Sequence, residues 1–204
     1  MTDRIDVMIS STARDLPEHR KEEMDAILRL GMHPVAMEHL PAKSEDAIDA
    51  SLAMVDTAEI YVGIFAHRYG YIPDSPKNPE RLSITELELQ RAVARDIPRL
   101  IFVIGDEHEI SAKMLETNPE GAAKLLQLRE RLTKSYVVKF FNSPKELREQ
   151  VLTSLTAHFK SEPVKALHSD LAIPVLPEPY IAHAYSLLQT SGLVGRQTEL
   201  NLLT

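Results

Sequence analysis

Three groups of side chains have types and positions that suit a common chemistry: Ser10, Ser11 and Thr12; His67, Arg68 and Tyr69; and Ser83, Glu86 and Glu88. Each follows an apolar run or opens a helical one. Hydroxyls and unpaired backbone N–H groups at the start of a helix favour an anion, phosphate above all. A carboxylate carried to the same place by a second helix completes a crevice that can hold a phosphorylated ligand beside a fixed negative charge.

These groups meet only if the elements between them bring them together. Residues 5–9, Ile-Asp-Val-Met-Ile, read as a strand buried on both faces and run into Ser10, Ser11 and Thr12. Ser11 or Thr12 is expected to cap the following helix, with Asp15 near its third position and Pro17 in its first turn. That helix runs to Leu30, and Gly31 supplies its C-cap. A second strand follows over 32–37, then a loop ending at Ser44, a candidate N-cap, then a helix with Ile48, Leu52 and Val55 on one face. Residues 60–65 form a third, fully apolar strand. A long loop over 66–82 leaves its carboxyl end, where long loops are more often functional than decorative. The third helix is expected over 83–95 and the fourth strand over 99–104. Residues 106–121 read as irregular, a helix carries Leu125, Leu128 and Leu132, a fifth strand spans 136–140 and a last helix spans 143–159. Five β-α repeats call for an α/β fold, a parallel doubly wound sheet in the flavodoxin-like order 2-1-3-4-5. In that order the first and third strands are neighbours, so all three groups line one crevice.

Composition excludes several alternatives. The 204 residues are 44% hydrophobic and 26% charged with a net charge of −7, which gives no basic field for nucleic acid or an anionic membrane. Without cysteine there are no disulfides and no thiolate chemistry, which fits a cytoplasmic location. No apolar run approaches the roughly 20 residues that span a bilayer. The seven glycines make neither a phosphate loop nor a dinucleotide fingerprint, and the histidines show no metal-ligand spacing, so neither metal nor cofactor is expected. Four prolines, at 163, 174, 177 and 179, mark 161–179 as a linker between a domain over 1–160 and a terminal segment over 180–204 that starts with a short helix.

The segments Ile9-Ser10-Ser11-Thr12 with Asp15-Leu16, Gly31 to Glu38, Arg68-Tyr69-Gly70 and Ser83-Ile84-Thr85-Glu86-Leu87-Glu88 together resemble a bacterial domain family of unknown function. That family is similar to Toll/interleukin-receptor (TIR) domains and, more remotely, to nucleoside 2-deoxyribosyltransferases; the likeness covers about residues 4 to 160. The ending Leu193-Val194-Gly195-Arg196, with Glu199-Leu200, resembles the motif leading into the ATPase module of STAND proteins. The resemblance implies an N-terminal effector or adaptor of a larger, oligomerising, defence-related ATPase. TIR enzymes and the transferases break N-glycosidic bonds with one glutamate at the start of a helix, and Glu86 holds that place. Nicotinamide in NAD⁺ is already a cationic leaving group, so a carboxylate that stabilises an oxocarbenium-like transition state could suffice. Ser10 and Ser11 would then hold the diphosphate through backbone N–H groups, Arg68 would add charge and Tyr69 would stack on a base. A non-catalytic interaction module and a deoxyribosyltransferase-like enzyme are the alternatives.

Each of these residues also has an ordinary structural reading. Ser83-x-x-Glu86 is a capping box, Glu88 a solvated helix residue, Asp15 a helix-terminus charge, and His39 and His67 loop surface. The run from Glu18 to Glu23 reads as a solvent face.

Overall fold

β1 (Asp6–Ser11) forms the second strand of a five-stranded parallel sheet in the order β2-β1-β3-β4-β5, with β2 at His33–Val35, β3 at Ile60–Phe65, β4 at Arg99–Ile104 and β5 at Val138–Phe141. The computed structural model describes residues 4–12, 15–39 and 46–161. The expected Ser44 cap, the linker, the terminal helix and the motif around Gly195 lie outside these residues. The fold class and strand order agree with the sequence reading; β3 and β4 have the expected bounds.

Side chains alternate between two cores. Val7, Ile9, Val62, Ile64, Phe102 and Ile104 pack under α1 (Pro17–Arg29) and α5 (Pro144–Ser161). Met8, Tyr61, Phe65, Ile101 and Val103 pack under α2 (Ala47–Thr57), α3 (Ile84–Ala94) and α4 (Pro119–Ser135). Strands this apolar on both faces have to be covered on both, as right-handed β-α-β crossovers achieve.

Four local expectations are corrected. β1 continues through Ser11, and α1 starts only at Pro17 with Leu16 at the N-cap and no side-chain cap, so neither Ser11 nor Thr12 caps it. Asp15 is buried in the turn before the helix, ahead of the Leu16 N-cap and not near the third helical position, and burial raises its carboxyl above the ordinary range. Asp46 caps α2, its Oδ1 accepting from the Ile48 N–H at 3.1 Å. The run from Glu18 to Glu23 is no solvent face either: His19, Arg20 and Glu23 are buried against the sheet and neighbouring segments.

Gly63 is dictated by a ring. A Cβ there would stand 2.7 Å from Tyr61 Cε1 and 2.8 Å from Phe65 Cε2, because Tyr61 lies flat along β3 toward its carboxyl end. Gly63→Ala is expected to cost about 2 kcal/mol of stability, as overpacked cores do, measurable as a lower denaturant midpoint at unchanged slope.

Candidate functional site

The carboxyl end of β1, the loop after β3 and the starts of α3 and α4 enclose an open pocket of about 600 Å³. Ser11, Thr12, Arg20, Arg68, Tyr71 and Glu88 are among its walls. Parallel strands put their carboxyl ends on one edge, and the reversal of strand order between β2-β1 and β3-β4 opens a crevice there. Gly70 lets the loop close on β1. It has φ of +100°, and a Cβ would sit 3.0 Å from Thr12 Cγ2.

Two acids line this pocket, Glu116, which accepts from the Tyr69 and Asn118 N–H groups, and Glu88. Glu88 is 3% exposed; Oε2 accepts from Ser10 Oγ at 2.5 Å and Oε1 from Ser51 Oγ at 2.5 Å. Burial pushes its carboxyl up to about 7, while the two hydroxyls and the charge of Arg20 pull it down. The Tyr61 hydroxyl lies close by, kept from ionising by its own burial and by the charge of Glu88. The residue expected to be a solvated helix position is thus the one carboxylate of α3 that reaches the pocket wall.

Glu86 points elsewhere. Its Oε2 accepts from the Tyr69 hydroxyl at 2.5 Å and its Oε1 from the Arg131 guanidinium, so it ties the loop after β3 to α3 and α4. Positions i and i+2 of a helix do not share a face. Ser83 is fully buried and caps α3, its Oγ accepting from the Glu86 N–H at 3.2 Å. Tyr69 is 1% exposed, so its ring is no platform for a base; Tyr71, 68% exposed at the pocket, is the aromatic ring that can serve as one. Glu86→Ala is expected to remove about 1–3 kcal/mol of stability by leaving the Tyr69 hydroxyl buried without its acceptor, read in a thermal or denaturant melt.

Of the predicted residues, Ser11, Thr12 and Arg68 line the pocket, and Ser10 stands behind Glu88. Ser10 and Ser11 belong to the ladder, in register with Gly63 and Ile64, and the Ser11 hydroxyl accepts from Arg20 at 2.5 Å. They do not form a helix N-terminus open to phosphate. Positive charge comes instead from Arg68 and from Arg20 and Arg81, which sequence reading overlooked: Arg20, 4% exposed, forks onto both Glu38 oxygens at 2.5 and 2.6 Å, and Arg81 pairs with Glu120 at 3.1 Å. Ser51 was also overlooked, since nothing local marks a helix serine as a partner of Glu88, 37 positions away. His67 is half-buried, and the side chain of His39 lies outside what the structure describes.

Residues 6–156 match the family model described as a domain of unknown function, DUF4062. The chain belongs to the DUF4062 family. No curated protein matches the sequence. Among solved structures, this DUF4062 domain is similar to the TIR domains of the activated Roq1 resistosome, at 13% identity over 74% of this chain and 99% of that one, with a TM-score of 0.50. The RPS4 and RRS1 TIR domain heterodimer is 14% identical over 75% and 97% of the two chains, with a TM-score of 0.46. The CMP N-glycosidase BcmB of Clostridium botulinum is 11% identical over 72% and 97%, with a TM-score of 0.41. At these identities the likeness is one of fold, and the fold is TIR-like. Among the described residues no helix is long and apolar enough to cross a membrane.

Proposed function

We propose that this DUF4062 domain cleaves the N-glycosidic bond of a nucleotide, with NAD⁺ as substrate and Glu88 in the role that sequence reading gave to Glu86. The observation that carries the reading is a buried carboxyl held by two serine hydroxyls in the wall of a pocket large enough for a nucleotide and edged by Arg20 and Arg68. In this reaction the bond between ribose C1′ and the nicotinamide nitrogen breaks and its electron pair leaves with the ring, discharging the pyridinium. The ionised Glu88 stabilises the oxocarbenium-like ribose. Water adds at C1′ and gives up its proton, leaving ADP-ribose. Tyr71 stacks on a base and the arginines meet phosphate.

In this reading the domain is the effector at the N-terminus of a STAND ATPase that acts in bacterial defence, and it turns over when the ATPase assembles. The test is release of nicotinamide from NAD⁺ by the assembled full-length protein and by the domain fused to a constitutive oligomer. Release is expected from the wild type and lost in Glu88→Gln; turnover in Glu88→Gln equal to that of the wild type removes the reading. Base exchange onto a free purine in place of hydrolysis would mark a deoxyribosyltransferase-like enzyme.

A second reading has its own observation. Val137 is 94% exposed and Phe140 49%, on and beside the edge strand β5, which suits an interaction module that signals by contact alone. Full signalling by Glu88→Gln would favour it.

A further inference from the structure

Behind the pocket, on the α1 side of the sheet, three histidines from distant parts of the chain converge. His19 comes from α1, His67 from the loop after β3 and His108 from the loop after β4. The His19 and His108 rings stand 5.1 Å apart between centroids, with Nε2 to Nε2 at 3.2 Å, and the His67 and His108 rings stand 6.1 Å apart.

We propose that His19 and His108 chelate a divalent transition metal of the zinc, cobalt or nickel class through their Nε2 atoms, with His67 able to turn in as a third ligand. Two nitrogens each about 2.0–2.1 Å from a tetrahedral metal lie about 3.3–3.4 Å from one another, close to the separation found here. Among the described residues no three acidic or histidine groups surround one point, so the geometry on hand is that of the His19–His108 pair alone. His67 Nε2 is buried and has no hydrogen-bond partner among the described residues, which leaves that nitrogen uncommitted.

The His19 ring is buried, and its orientation is set by its neighbours. Phe141 packs against the His19 ring at 5.3 Å and limits its rotation. The charges near His67 are Arg129, which donates to the Ile104 carbonyl at 3.0 Å and opposes a cation, and Asp106, which offsets it. His19 is buried while His108 is partly exposed, so the metal enters from the His108 side. With imidazole ligands and no thiolate in the chain, the site selects metals that accept nitrogen over the hard cations Mg²⁺ and Ca²⁺. Because His19 precedes Arg20 and His67 precedes Arg68, a bound ion would fasten α1 to the loop after β3 directly behind the pocket arginines.

The experiment uses the full 204-residue chain without a histidine tag, freed of metal with a chelator. Zn²⁺ is titrated by calorimetry at pH 7.5, and Co²⁺ is followed by the visible ligand-field band that tetrahedral nitrogen ligation produces. One ion per chain is expected, with affinity at least about tenfold weaker in His108→Ala and in His19→Gln, as loss of a ligand or its support costs. His33→Ala, on the far surface beside Asp6, is expected to bind as the wild type does. His108 is the more exposed ligand and its variant is expected to fold, which a melt verifies. No saturable binding by the wild type, equal affinity in His108→Ala, or a loss that follows His33 instead overturns the proposal.

Discussion

Glu88→Gln is expected to lower kcat for nicotinamide release about 10²- to 10³-fold and, at neutral pH and above, to make the domain more stable. The rate loss follows from removing the charge placed where the oxocarbenium-like centre develops, a contribution of that order wherever a preorganised group is deleted. The stability gain follows from burial. A carboxyl that is 3% exposed and pushed up to about 7 is paying to ionise, and an amide of the same shape keeps contact with Ser10 and Ser51 without that cost. Function and stability are then opposed at one atom, as at many active sites. Assay and melt on the same preparation check both halves. A variant that loses activity and stability together would mean that Glu88 serves the fold alone.

The difference in stability between Glu88→Gln and the wild type is expected to grow by about 3 kcal/mol as pH rises from about 4.5 to about 7. The folded protein keeps the Glu88 proton in that window while the unfolded chain has released it. Unfolding then releases a proton, and stability falls with rising pH until the folded carboxyl titrates. Glu23, fully buried and raised well above the usual carboxylate range, acts in the same direction. His19 acts against both. Held down to about 4, it stays neutral when folded while the unfolded ring takes a proton, so its contribution falls as pH drops through and below 6.5. The wild-type profile is therefore flattened, and the difference curve, from urea melts across pH, isolates Glu88. Over the same window the rate constant for cleavage is expected to rise with an apparent pKa near 7, since the ionised form does the work.

The strands and their order were legible in the residues. The runs at 60–65 and 99–104 are apolar on both faces, which only a sheet covered on both sides tolerates, and β-α alternation with right-handed crossovers leaves few other topologies. The crevice was legible too, because neighbouring β1 and β3 bring the turn after Ser11 and the loop after Phe65 to one edge. The polar run from Glu18 to Glu23 misled for a physical reason: charge pattern alone marks it as solvated, yet Arg20 reaches Glu38 and Ser11 from inside the fold.

By itself, then, the sequence determined a parallel doubly wound sheet, its strand order and the edge on which a ligand could sit, since these follow from periodicity and chain connectivity. Tertiary structure alone decided which acid faces that edge. Glu86 and Glu88 are two residues apart on α3, about 200° around the helix, and both are buried. Which one meets the pocket depends on the rotation at which α3 packs, set by Leu89 and Ala92 against Met8, Tyr61 and Phe65 and by partners as distant in the chain as Ser10, Ser51 and Arg131. No local pattern encodes that rotation, because it is the sum of contacts from four other elements.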